Sequence, residues 1–134
     1  MLNYQSLKPL PNNLHKNIKL NHWIDIKQLP TNTDLYHQLA KICQQHQQDR
    51  RWIMIIDPQK KDIELLKLST QIEQAKILQL NSQQITISLE NIHTLLAKGT
   101  CAAVVLCNAK FSHQQLLKLN QFAQQGKTHC LVLN

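Results

Sequence analysis

The sequence predicts a single compact α/β domain, with a mostly parallel sheet flanked by helices. Amphipathic helical stretches alternate with short runs in which every residue is apolar, at 52–56, 101–107 and 130–133. Runs without polar alternation are typical of strands that are buried on both faces of a parallel sheet. With 134 residues, 43% of them hydrophobic, the chain has enough apolar side chains for one core.

The first thirty residues hold three of the four prolines and show no sustained periodicity. We therefore interpret 1–30 as a flexible or loosely docked N-terminal arm and 31–134 as the folded domain. Within the arm, the segment 23–26 would add a short edge strand or dock on the body.

The first two predicted helices flank the strand at 52–56. The polar cluster at 31–34 is a helix N-cap, and the apolar residues after it recur with helical spacing. These residues are Leu35, Leu39, Ile42 and Cys43. A second helix is predicted over 62–71, with Ile63 and Leu66 facing inward, and the next strand over 76–80.

Serine begins and glycine ends each of the last two predicted helices. Ser88 and Ser112 are N-cap residues, and Gly99 and Gly126 each stand between a helix and a strand. At that position the chain often turns through a positive φ, which glycine adopts without steric cost. We therefore expect a positive φ at both glycines.

No catalytic or cofactor-binding constellation is recognisable. The loop after the first central strand, 57–62, has no glycine, and no hydroxyl follows its lysines, so it does not match a Walker loop. Asp57 is the one carboxylate at a position typical of active sites, and a turn role before Pro58 is the favoured interpretation. We expect a protein that is not an enzyme, uses no cofactor and neither binds nor hydrolyses ATP.

The four cysteines are expected to be free thiols that pack in the core. They are Cys43, Cys101, Cys107 and Cys130. Cys101 and Cys107 would point to the same face of one strand about 20 Å apart, too far to share a metal ion. Without a signal peptide or an apolar run near membrane-spanning length, we expect a cytoplasmic protein with no membrane partner.

The formal charge of +7 comes mainly from lysine and suits an acidic partner. Nucleic acid, an anionic membrane and an acidic protein would all meet that description. The segment 50–52 is the densest basic and aromatic stretch. There we expect Trp52 in the core, with Arg50 and Arg51 at the strand entrance.

From Arg51 to Leu133 the chain resembles the SulA family, the SOS-induced inhibitors of bacterial cell division. The order and spacing of the matching residues, with almost no gaps, support the resemblance. The matching residues are Arg51, Trp52, Pro58, Gln59, Lys76, Glu90, Val104 and Val105, together with the segments 96–99 and 123–126.

The resemblance implies a trimmed RecA-like fold without a working nucleotide site. It also implies that the chain binds FtsZ, the tubulin-like division GTPase, on the subunit face that completes the next subunit's GTP site. Stoichiometric binding there would block FtsZ polymerisation and GTPase activity. Because FtsZ proteins are acidic, a partner with a charge of +7 is electrostatically complementary.

Contact residues follow from the resemblance one position at a time. Arg51 is the family's arginine before a tryptophan, and Lys76 is its basic residue before the next strand. Ile56 is a conservative replacement at the end of the first central strand. Leu66 stands where the family has a tryptophan, so the chain departs from the family pattern there.

The direction of parallel strands divides these residues between two edges of the sheet. Arg51 and Lys76 begin strands, so we expect them at one edge, which the resemblance favours as the interface. Ile56 ends a strand, and Lys60 and Lys61 follow it in a loop that is either a further partner-binding site or a solvated turn. We expect these three residues at the opposite edge.

Three further expectations concern partners. The family's C-terminal tail, which the Lon protease recognises, has no counterpart after Asn134, so turnover by that route is left open. An exposed edge strand would allow a homodimer through sheet pairing. The alternative to a division inhibitor is a nucleic-acid-binding or DNA-repair accessory protein of RecA-like fold, although dispersed lysines make a nucleic-acid partner the weaker interpretation.

Overall fold

A computed structural model describes residues 23–28, 35–69, 74–82 and 87–134. Within these ranges the chain alternates between strands and helices. The elements are β1 (Ile24–Lys27), α1 (Leu35–Gln45), β2 (Trp52–Ile56), α2 (Lys60–Lys67), a 3-10 turn (Gln74–Lys76), β3 (Ile77–Leu80), α3 (Leu89–Lys98), β4 (Cys101–Leu106), α4 (His113–Gly126) and β5 (His129–Leu133).

The strands form one sheet in the order β1-β5-β4-β2-β3, and every neighbouring pair is parallel. The predicted α/β fold class with a flanked parallel sheet is confirmed. β1 is an edge strand that pairs Ile24 with Cys130 of β5. The edge strand expected within the N-terminal arm at 23–26 is therefore present, whereas residues 1–22 and 29–34, with the predicted N-cap cluster at 31–34, lie outside the described ranges.

Two apolar clusters cover the two faces of the sheet. Helices α1 and α2 pack on one face, through Leu39, Ile42, Cys43, Ile63 and Leu66. Helices α3 and α4 pack on the other face, through Ile92, Leu96, Leu119 and Ala123. The helical spacing read from the sequence therefore identified the buried faces.

The predicted serine caps begin both C-terminal helices. The Ser88 hydroxyl accepts a hydrogen bond from the backbone N–H of Asn91 at 3.0 Å. Ser112 and Gln115 form a reciprocal capping box, with distances of 2.8 and 3.2 Å. Each cap satisfies N–H groups that have no acceptor inside the first helical turn.

The two glycines differ in the reason why glycine is needed. Gly99 has a φ of 71°, as predicted. The prediction for Gly126 is wrong, because this residue ends α4 and the positive φ of 53° falls on Lys127. A Cβ on Gly126 would overlap the carbonyl oxygen of Leu96. Glycine at 126 therefore permits the close approach of α3 and α4.

A register shift at the start of β4 changes which face Cys101 occupies. Trp52 pairs with Cys101, whereas Ile53 pairs with Ala103, so β4 has one extra residue at this point. Cys101 packs with the α3–α4 cluster and Cys107 with the α1–α2 cluster. The expectation that Cys101 and Cys107 share a face is therefore wrong.

Candidate protein-binding site

Arg51 links the start of β2 to the turns that follow α3 and α4. Its guanidinium donates hydrogen bonds to the carbonyl oxygens of Gly99 and Gly126, both at 3.2 Å, and of Lys127 at 2.9 Å. It also pairs with both carboxylate oxygens of Asp49, at 3.1 and 3.0 Å. These side-chain hydrogen bonds lower the pKa of Asp49 to about 2. Arg51 therefore links the start of β2 to the turns after α3 and α4. These lie at the edge of the sheet where the strands begin, which we call the amino edge.

Lys76 links the segment that follows α1 to the same edge through hydrogen bonds. Its ammonium donates to the carbonyl oxygens of Gln47 at 2.9 Å, of His46 at 3.4 Å, and of Asp49. A cation is favourable beside the carbonyl groups at a helix C-terminus. Arg51 and Lys76 thus meet at Asp49, one through its carboxylate and the other through its carbonyl. The structure brings these two residues together at one edge, as the strand directions require.

A hydrogen-bonded chain of three side chains lies beside Lys76. Asp25 of β1 is 2.6 Å from one ring nitrogen of His129, whose other ring nitrogen is 3.2 Å from His46. Burial lowers the pKa of His46. The neighbouring His129 lowers it further, whereas Asp49 raises it. Sequence reasoning missed this chain because its members come from three elements far apart along the sequence, without a common spacing.

The amino edge also exposes side chains that have no structural role in the network just described. Arg50, Lys98 and Lys127 are exposed cations at this edge. Trp52 is 44% exposed, so the expectation that it lies in the core is wrong. Trp52 is the first residue of β2, and only the four residues after it are buried.

Ile56 and Leu66 lie in the core. Their exposed fractions are 5% and 1%. Ile56 packs in the cluster below α3 and α4, and Leu66 in the cluster below α1 and α2. Both side chains are buried in this structure, and their assignment as contact residues stays a prediction.

The opposite edge of the sheet carries Lys60 and Lys61. Both lysines are exposed in the first turn of α2. The nearby carboxylate of Asp57 accepts hydrogen bonds from the backbone N–H and the hydroxyl of Ser82, at 2.7 and 2.8 Å. Asp57 has a φ of 59° and joins the ends of β2 and β3, which agrees with its interpretation as a turn residue.

The thiols are buried and free, as predicted. Burial raises the pKa of Cys101 and raises those of the other three to about 11 for Cys43 and about 12 for Cys107 and Cys130. Such thiols are poor nucleophiles at neutral pH. In the described part of the chain, no group of three His, Cys, Asp or Glu side chains could hold a metal ion.

None of the helices in the described ranges combines the length and the apolar character needed to cross a bilayer. The fold and the amino edge together define an α/β protein with a basic, aromatic surface at one end of a five-stranded parallel sheet. No family model matches the sequence, and no curated protein matches it.

Comparison with solved structures gives the particular fold. The chain is similar to SulA from Pseudomonas aeruginosa, with 20% sequence identity and a TM-score of 0.58. The similarity covers 83% of this chain and 96% of that one. The chain therefore has a SulA-like fold, as the sequence resemblance implied.

Proposed function

We propose that this protein inhibits bacterial cell division by binding FtsZ stoichiometrically, as part of the SOS response. The observation that carries the proposal is the SulA-like fold, which covers 83% of the chain. The proposed action is to occupy the FtsZ face that completes the next subunit's GTP site. Filament growth and GTP hydrolysis would then stop together, because hydrolysis needs the contact between subunits.

The amino edge supports this proposal through charge and geometry. It presents Arg50, Lys98 and Lys127 to solvent, and the carboxylate of Asp49 is already paired with Arg51. An uncompensated positive surface favours encounter with an acidic protein and raises the association rate at low salt. The opposite edge also exposes two lysines, Lys60 and Lys61, so charge is compatible with the edge that the family resemblance favours, and the choice of edge rests on the resemblance.

The first experiment is a titration of FtsZ GTPase activity and of polymer sedimentation. Both should fall as the protein approaches the FtsZ concentration, provided that Kd is about micromolar, or about −8 kcal/mol. Lys61→Gln, at the opposite edge, is the matched control and should inhibit as the wild type does. Wild-type protein that leaves both readouts unchanged at a twofold excess would refute the proposal. Complete inhibition at a small fraction of the FtsZ concentration would refute stoichiometric action.

The second candidate, a nucleic-acid-binding or repair accessory protein, is favoured by the same basic edge. Phosphate binding through lysine and arginine weakens steeply as salt rises. Duplex and single-stranded DNA should therefore be tested for binding at two salt concentrations beside FtsZ. DNA binding that persists at physiological salt, with FtsZ unaffected, would favour this second function.

Inhibition by occupancy needs no catalysis, so we propose that the protein is not an enzyme. The loop 57–62 offers no glycine for the close approach of backbone to phosphate, and Asp57 is held by Ser82. Calorimetry should detect no ATP binding, and micromolar ATP affinity would contradict this proposal. The homodimer, the cytoplasmic location and Lon turnover stay predictions.

A further inference from the structure

Trp52 is a large aromatic side chain that the fold leaves exposed. It is 44% exposed, and Leu78 of the adjacent strand β3 is 36% exposed. Met54 pairs with Leu78 and packs in the α3–α4 cluster. Because side chains alternate along a strand, Trp52 lies on the same face as Met54 and Leu78. The two exposed apolar side chains therefore stand on one face of β2 and β3.

The helices on that face pack mainly over β4, β5 and β1, and they also cover Met54 and Ile56 in β2. α3 packs on β4, and α4 packs on β5 and β1. Among the described residues of that face, large apolar side chains reach solvent near both edges: Ile26 in β1, and Trp52 and Leu78 in β2 and β3. Burial of an indole in a partner removes a large apolar area from water, and tryptophan is enriched among the residues that dominate binding energy.

A rim of positive charge stands at the start of β2 next to Trp52. The backbone N–H of Trp52 donates to the carbonyl oxygen of Thr100 at 3.4 Å, which places the segment after α3 beside Trp52. Arg51 donates to the carbonyl oxygen of Gly99, which follows Lys98, and to that of Lys127. Arg50, Lys98 and Lys127 are exposed. The occupant that fits is an acidic protein surface with an apolar recess.

We infer that Trp52 and Leu78, with the rim formed by Arg50, Lys98 and Lys127, anchor the acidic partner protein. The inference rests on the proposed function and names the contacts of the same edge. Arg51 and Lys76 then act as positioning residues, because their donors are directed to carbonyl groups and a carboxylate of the chain itself. They hold the strand start and the helix ends that present the rim.

The test measures the affinity of purified full-length variants for FtsZ. Trp52→Ala and Leu78→Lys should each raise Kd at least tenfold, with thermal unfolding close to that of the wild type. Leu68→Ala removes another exposed apolar side chain, 78% exposed at the end of α2, and should leave Kd unchanged. Arg50→Gln should raise Kd about threefold at low salt, mainly through a slower association rate, whereas Lys61→Gln should not.

The outcomes separate this inference from the function on which it rests. If the wild type binds FtsZ and both apolar variants bind within twofold of it, the anchor is wrong and the proposed function stands. If Trp52→Ala unfolds, Leu78→Lys decides, since Leu78 lies on the edge strand β3 and its side chain already contacts solvent. If the wild type does not bind FtsZ, the proposed function fails, and the inference fails with it.

Discussion

Replacing Arg51 should lower the free energy of unfolding of the protein even when no partner is present. In Arg51→Ala, the carbonyl oxygens of Gly99, Gly126 and Lys127 lose a charged donor, and Asp49 loses its ion pair. A hydrogen bond to a charged group contributes about 1.5–3 kcal/mol when it is shielded from water. Because the Arg51 side chain is 33% exposed, water replaces part of this network. We expect a loss of about 2–3 kcal/mol in the free energy of unfolding.

Thermal unfolding followed by circular dichroism measures this loss. For a chain of this size 1 kcal/mol corresponds to about 3–4 °C in Tm, so Arg51→Ala should lower Tm by about 6–12 °C. Arg51→Lys keeps the charge without the planar fork and should recover less than half of the difference. Arg50→Ala, at an exposed neighbour, is the control and should change Tm by less than about 2 °C. An unchanged Tm for Arg51→Ala, with FtsZ binding lost, would refute the reasoning and make Arg51 a direct contact.

Three further predictions concern the same end of the molecule. Lys76→Ala should lower the free energy of unfolding by about 1–2 kcal/mol, because the carbonyl groups after α1 lose their shared donor; urea unfolding measures this. The folded-state pKa of His46 lies below its ordinary value of 6.5, so the unfolded chain binds the proton first and stability should fall as pH decreases below 6.5. His46→Gln should flatten that part of the stability profile, and an unchanged slope would contradict the assignment. Gly126→Ala should cost at least about 3 kcal/mol, since its Cβ would overlap the Leu96 carbonyl oxygen; a Tm near that of the wild type would disprove the close approach.

The sequence was informative where the structural signal is local. Ser88 and Ser112 could be assigned as N-caps because the cap, the first turn and the apolar spacing lie within a few residues. The buried strands were recognisable for a similar reason, since each is a short run without polar residues. Element boundaries moved by only one to a few residues, as at α2, which begins at Lys60 rather than Asp62.

The site was less predictable because its contacts cross large sequence separations. The partners of Arg51 include carbonyl groups 48 and 75 residues away, and carbonyl acceptors leave no signature in the sequence. Trp52 was misassigned because an apolar run indicates a buried strand without showing which of its ends the helices leave uncovered. Gly126 was misread for a related reason, since the neighbour that requires glycine, Leu96, belongs to another helix.

The internal roles of Arg51 and Lys76 change what a loss of inhibition would mean. Both cations lie at the edge that the family resemblance favours, yet their donors are directed into the chain's own backbone and Asp49. Replacing either residue would change the position of the exposed rim, even though the residue itself does not contact the partner. Trp52→Ala separates loss of a direct contact from loss of positioning, because it removes the indole ring while the backbone hydrogen bonds around Trp52 remain. If Trp52 contacts the partner and Arg51 holds the edge in place, the two variants should differ. Trp52→Ala should bind weakly with a normal Tm, whereas Arg51→Ala should bind weakly with a lowered Tm.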